Sequence, residues 1–166
     1  AVAARRAKFP RAHFSAQANP GIDILIAGCG TGQHSIETAT HSLNARILAI
    51  DLSLSSLAYA QRKSREAGLG AIDYAQADIL QLGSLDRRFD IIESGGVLHH
   101  LADPWTGWRT LLSLLRPGGL MRIGLYSKLA RRHIARIRQW IGPPNTNTSP
   151  TEIRRIRQEL IALNSR

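Results

Sequence analysis

The sequence predicts an α/β protein built on a doubly wound parallel sheet. Short apolar runs alternate with segments of helical spacing between Ile22 and Tyr126. That order places strands side by side with helices over both faces. The first run, Ile22 to Ala27, is apolar at nearly every position, as a strand covered on both sides requires. It ends in glycines at alternate positions, Gly28, Gly30 and Gly32, ahead of a helix-competent stretch. Strand, glycine turn and helix N-terminus together let backbone approach a ligand closely. Right-handed crossovers leave the doubly wound arrangement as the economical solution.

Composition bounds the function classes. A chain of 166 residues suffices for one domain with a real core. With 43% hydrophobic and 20% charged residues it is not a disordered chain. No apolar run is long enough to span a bilayer, and none follows the early basic residues as a secretory signal would. The single cysteine, Cys29, excludes an internal disulfide and a cysteine-rich zinc site. A reducing, cytoplasmic setting is therefore expected. His13, His34, His41 and His133 are too scattered to suggest a metal site. The net charge of +10 sits largely at the ends, in Arg5, Arg6 and Lys8, then Lys128 to Arg138 and Arg154 to Arg157. The stretch carrying the glycine turn is nearer neutral, so solvated helix faces or contacts with the rest of a longer protein are favoured over nucleic acid.

The elements follow in order. Residues 1–20 read as a lead-in, with Asn19-Pro20-Gly21 as a turn. Helix one is expected from Gly32 to Ser42, strand two from Arg46 to Ile50 with Asp51 at its end. Ser53 caps a helix from Leu54 to about Ala67, which Gly68 terminates; Leu54, Leu57, Ala58 and Ala60 are its apolar face. Strand three is Ala71 to Ala75 and strand four Phe89 to Glu93, followed by a loop to His100. Asp103 and Pro104 open a helix whose stripe is Trp105, Trp108, Leu111, Leu112 and Leu115. Arg116 to Gly119 form a tight turn into strand five, Leu120 to Tyr126. Two basic helices close the chain. Leu129, Ile134, Ile137 and Ile141 give the first its apolar side. Gly142 to Asn147 break it, and Ser149 to Glu152 form a capping box before a last helix buried through Ile153, Ile156, Leu160 and Ile161.

In such a sheet, ligands bind at the carboxyl ends of the strands where strand order reverses. Gly28, Gly30 and Gly32 lie there after strand one, and Asp51 after strand two. An acid about twenty residues past the glycines accepts hydrogen bonds from both hydroxyls of a ribose. Asp78, past strand three, reads either as an acceptor for an adenine amine or as the cap of the turn Ile79 to Leu82. A dinucleotide fingerprint needs glycine or alanine at position 33, and Gln33 stands there. That weighs against an NAD-dependent oxidoreductase.

Five segments in register resemble the class I S-adenosylmethionine-dependent methyltransferases. They are Ile24-Leu25-Ile26-Ala27-Gly28-Cys29-Gly30-Thr31-Gly32, the acid Asp51, the acid Asp78, Phe89 to Glu93 leading to Val97-Leu98-His99-His100-Leu101, and Leu114 to Leu120. The resemblance covers about residues 22–126. It implies a Rossmann-like sheet of order 3-2-1-4-5 and S-adenosylmethionine as cofactor. Ala27, Gly28, Cys29, Gly30, Gly32, Asp51, Leu52, Asp78, Ile79 and Glu93 are the expected cofactor contacts, and no metal is expected. It implies methyl transfer to a small-molecule or protein acceptor, with His100 or His99 as the base if the acceptor must lose a proton. The phrase Gly28 to Glu37 also resembles methyltransferase domains that accompany tetratricopeptide repeats, although no repeat is in this chain. The expected division is a lead-in over 1–20, a cofactor-binding core over 21–127 and a basic remainder over 128–166.

Two departures stand out. The family carries Asp or Glu where this chain has Ile26, so Glu93 is the candidate acid for the methionine end. The family's sheet ends in an antiparallel hairpin, and no strand pattern follows Tyr126. Both departures favour an alternative, a non-catalytic S-adenosylmethionine-binding or protein-interaction module. No Asn-Pro-Pro-Tyr-like motif follows strand four, which weighs against amino methylation of nucleic-acid bases.

Overall fold

The computed structural model describes residues 21–42, 44–142 and 148–164. The expected lead-in and most of the break after Gly142 lie outside these. Among the described residues, those up to Leu125 form one compact unit and those from Tyr126 onward a second.

The first unit is a five-stranded sheet in the order β3-β2-β1-β4-β5, every pairing parallel. Its strands are β1 (Ile22–Ala27), β2 (Ala45–Asp51), β3 (Ile72–Gln76), β4 (Phe89–Gly95) and β5 (Leu115–Gly124). Side chains alternate across a strand, so β1 feeds two cores. Ile22, Ile24 and Ile26 join Ile47, Ile91 and Leu57 on one face. Leu25 and Ala27 join Ile50, Ile92, Leu111 and Leu114 on the other. Burying a side chain of this size stabilises by about 1.5–3 kcal/mol, and β1 is buried at all six positions.

Helices α1 (Gln33–His41) and α2 (Leu54–Glu66) follow β1 and β2. Ala39 of the first and Leu57 of the second pack on the Ile24 core. Ser53 caps α2 by accepting from the Ser56 amide at 3.2 Å. The apolar face of α2 is narrower than expected. Leu57, Ala60 and Ser64 are buried, whereas Leu54 is 63% exposed and Ala58 also faces water. One residue per turn fills the stripe, and Ser64 completes it by bonding the Ala60 carbonyl and the Tyr74 hydroxyl.

Helix α3 (Pro104–Ser113) covers the other face. Asp103 caps it, accepting from the Trp105 amide at 2.9 Å. Its stripe differs from the expected one: Gly107 and Leu111 are buried, and Leu114 just past the end, while Trp105 and Leu112 are more than half exposed. A Cβ on Gly107 would stand 2.3 Å from Leu101 Cδ1. The helix presses on the core through its glycine, which turns Trp105 outward to stack on Trp108.

Strand β5 begins earlier than expected. Arg116 to Gly119 form no separate turn; they run within the strand beside an irregularity between Phe89 and Ile91. Tyr126 lies outside it. In the second unit, helix α4 (Arg132–Ile141) starts after Leu129, which sits in the preceding turn. Helix α5 (Pro150–Asn164) is capped by Ser149, which accepts from the Glu152 amide. The Glu152 carboxylate does not return the bond to the cap; it pairs with Arg155. Ile153 and Ile161 are about half exposed, so only Ile156 and Leu160 of the expected face are partly covered.

Candidate cofactor site

The carboxyl ends of β1, β2, β3 and β4 surround a cleft of about 400 Å³. The loop after β1 supplies Gly28 and Gly30, and the end of β2 supplies Asp51 and Leu52. Ala77, Asp78 and Ile79 come from beyond β3, and Gly95, Gly96, Val97, His100 and Leu101 from the end of β4 and beyond.

The glycine loop is held by backbone. The amides of Gly28 and Cys29 both donate to the Ile50 carbonyl at 2.9 Å, and Gly32 donates to the Cys29 carbonyl. Gly28 has φ +80, and a Cβ there would lie 2.3 Å from Val97 Cγ2. Gly32 caps α1 at φ +85, with Ala60 Cβ 2.5 Å from where its own Cβ would be. Neither place admits a side chain without displacement.

Asp51 fastens the loop to β2. Its Oδ2 accepts from the Gly30 amide at 2.8 Å and its Oδ1 from the Ser53 amide at 2.9 Å. A carboxylate offers about four lone-pair sites, so two remain for a ligand. Asp78 lines the cleft, and its Oδ1 caps the short turn Ile79–Ser84 by accepting from the Leu80 amide.

Of the expected contacts, Gly28, Gly30, Asp51, Leu52, Asp78, Ile79 and His100 line the cleft. Ala27, Cys29, Gly32, Glu93 and His99 do not form its wall. Ala27 is fully buried in β1, and Gly32 packs on α2. Cys29 lies in the core; burial first, and the Asp51 charge second, push its thiol up to about 11. His99 packs against His100 with ring centroids 4.2 Å apart. Glu93 is buried within β4, its Oε2 accepting from Thr38 Oγ1 at 3.1 Å and bonded to His34 Nε2 at 2.8 Å. Ala77, Gly95, Gly96, Val97 and Leu101 were not expected in the wall. The glycine pair at the end of β4 was the one signal of close approach there; Val97 and Leu101 carry the same apolar signature as core.

A second polar cluster lies at the foot of the sheet. Asp23 accepts from Arg46 Nε and Arg116 at 2.8 Å and from Arg87 at 3.4 Å. Asp90 accepts from Arg116 and from the Asp23 amide. Burial would push the Asp23 carboxyl up, but hydrogen bonds and charge from Arg46 and Arg116 outweigh it and hold it below its ordinary value. This cluster belongs to the opposite ends of the strands and serves stability.

Among the described residues, no group of three His, Cys, Asp or Glu side chains is placed to hold a metal ion, and no helix is long and apolar enough to cross a membrane.

Comparison with known proteins agrees with this architecture. A family described as methyltransferase domain matches residues 25–123. The chain is 35% identical over 127 residues to a ubiquinone biosynthesis O-methyltransferase of Parvibaculum lavamentivorans, covering 74% of this chain and 49% of that protein. The solved [4+2]-cyclase SpnF is 30% identical with a TM-score of 0.58, covering 64% of this chain and 39% of that one. An S-adenosylmethionine-dependent methyltransferase from Clostridium acetobutylicum shares the fold, with a TM-score of 0.60, 24% identity, and 79% and 51% covered. The chain spans less than half the length of the curated relatives it matches.

Proposed function

The chain belongs to the methyltransferase domain family, and from that premise we propose that its cleft binds S-adenosylmethionine for methyl transfer to a hydroxyl acceptor. One observation carries the reading. Asp51 closes the glycine loop with one lone pair of each oxygen and keeps the others for a ligand at the cleft wall. Two acceptors on one carboxylate suit the paired hydroxyls of a ribose. Asp78 keeps Oδ2 for an adenine amine while Oδ1 caps its turn, and Leu52 and Ile79 supply apolar walls for the base. Gly28, Gly30, Gly95 and Gly96 leave backbone open to the ligand. Ala27, Cys29 and Gly32 serve by setting the loop from below.

S-adenosylmethionine supplies an electrophilic methyl group on a sulfonium. The protein supplies placement and electrostatics. A hydroxyl acceptor, on a small molecule or a protein side chain, must lose its proton. His100, exposed at the cleft wall, is placed to take it, with His99 packed against its ring. The O-methyltransferase names of similar proteins support the choice of hydroxyl. We take residues 21–127 as the cofactor-binding core and 128–166 as part of a longer remainder. A tetratricopeptide-repeat region elsewhere in that protein and a reducing, cytoplasmic setting complete the reading.

A second reading keeps the cofactor without turnover, as a binding module. The apolar Ile26, where the family places an acid, favours it. Calorimetry with S-adenosylmethionine, its demethylated product and NAD tests the first step. Micromolar binding of the two adenosyl ligands and none of NAD is expected. Binding of NAD alone would overturn the cofactor assignment. Methyl transfer to phenolic and aliphatic alcohols by wild type, lost in His100→Ala with cofactor affinity kept, would then separate enzyme from module.

A further inference from the structure

Helix α4 and the turn before it carry cations without countercharge on one side and apolar side chains open to water on the other. No Asp or Glu stands between Pro104 and Thr151, and Lys128, Arg131, Arg132, Arg136 and Arg138 fall inside that stretch. Among the described residues none of the five has an ion-pair partner. Helix α5 differs, because Arg155 there meets Glu152 and Glu159 of its own helix. The apolar side of α4 is Ile134, Ile137 and Ile141, at the spacing of one helix face, with Trp140 beside them. No residue of the helix is buried. Ile134 and Ile137 are partly covered, Ile141 is nearly half exposed, and Trp140 and Leu129 are more than half exposed. The helical period puts Arg132 and Arg136 on the far side and Arg138 at the edge of the apolar arc.

The aromatic residues narrow the choice of partner. Ahead of the helix, the Arg131 guanidinium stands 4.0 Å over the ring of Tyr126, itself more than half exposed. Trp140 lies in the last turn. Tyr and Trp present an apolar body with a polar tip and settle at the headgroup level of a bilayer. Among the described residues no helix is long and apolar enough to cross one. A short basic helix with Trp and Ile opposite its cations is the pattern of a helix lying in the interface plane. A nucleic acid answers the charge but offers Leu129, Trp140 and Ile141 no apolar phase. A neutral bilayer answers the apolar side but not the cations. An anionic lipid surface answers both.

We propose that α4 lies on an anionic lipid surface, with Ile137, Trp140 and Ile141 toward the acyl chains and the arginines at the phosphate level. The proposal stands apart from the reading of the cleft. The test is sedimentation of the full chain with sucrose-loaded vesicles, of phosphatidylcholine alone and of an equal mixture with phosphatidylglycerol. Binding to the mixture that weakens with salt, and much weaker binding to phosphatidylcholine, is expected. Arg132→Gln with Arg136→Gln should weaken binding to the mixture by roughly ten- to thirtyfold, since each cation near such a surface contributes about fivefold. Trp140→Ser with Ile141→Ser should weaken it by about tenfold or more with charge unchanged. All four side chains are exposed, so neither pair of changes opens the core. Arg154→Gln with Arg157→Gln removes the same charge from α5 and should stay within about twofold. Equal loss from the two arginine pairs would show attraction by net charge, and full binding by the Trp140 and Ile141 pair would show adsorption without insertion; either overturns the proposal. A wild type that the mixed vesicles leave in solution overturns it too, whether a labelled oligouridylate binds instead or the face is left to a protein partner.

Discussion

The amide of Gly30 donates to Asp51 Oδ2 at 2.8 Å, so the glycine loop and the acid that ends β2 are one structural unit. The acid thereby sets the loop that it works beside. Removing it costs the fastening and, on the proposed reading, the ribose acceptor as well. Asp51→Ala is expected to weaken S-adenosylhomocysteine by about a hundredfold or more, since hydrogen bonds to a charged group contribute roughly 1.5–3 kcal/mol each. Asp51→Asn keeps one oxygen acceptor and should lose less. Calorimetry on both variants checks the order.

Gly28 and Val97 bring the loops after β1 and β4 into contact. Gly28→Ala places a Cβ within 2.3 Å of the Val97 side chain at a φ of +80. A destabilisation of about 1–3 kcal/mol is expected from crowding and backbone together. Val97→Ala in the same chain should recover the crowding part and leave the backbone part. Urea denaturation of the two single variants and the double variant measures the coupling.

Much of this geometry was legible before the fold was seen. The six buried positions of β1, the glycines after it and Asp51 carry local signals: an apolar run, a turn residue, an acid at a set distance. The misses share a physical cause. Arg116 meets Asp23 across 93 residues, and no local pattern reports such a pair, although polar residues near the starts of two apolar strands hinted at one. Helix α3 turned on Gly107, which shows no hydrophobicity although it is the point of closest packing. Val97 and Leu101 look like core because an apolar cleft wall and a core use the same side chains. Glu93 was legible as an acid near the site, but its bonds to His34 and Thr38 depend on which face of α1 meets the sheet.

The foot cluster predicts how stability responds to acid. The Asp23 carboxyl is held below its ordinary value of 3.8. Its charged form therefore stabilises the folded state, fully so above that ordinary value, and the contribution fades as pH falls through the lower, folded value. Asp23→Asn removes the carboxylate that pairs with Arg46, Arg87 and Arg116 and leaves Asp90 paired with Arg116. It is expected to destabilise by about 1.5–3 kcal/mol at neutral pH, the contribution of hydrogen bonds to a charged group whose partners remain partly in water. The deficit against wild type should shrink below the ordinary carboxylate value. Melting temperatures of both proteins between neutral and strongly acidic pH give the comparison.

Cys29 offers a probe of the loop that needs no ligand. It is the chain's one cysteine, so any thiol signal is its own. Burial, and then the Asp51 charge, push its thiol up to about 11, and the thiolate is the reactive form. The folded protein should resist a disulfide reagent at mildly alkaline pH and react at once in denaturant. Asp51→Asn removes the second cause and releases half of the loop's fastening, so both effects act in one direction. Labelling of that variant is expected to be several times faster than wild type, while the denatured chains label alike. A labelling rate unchanged by Asp51→Asn would show that the carboxylate neither holds the loop closed nor acts on the thiol beneath it.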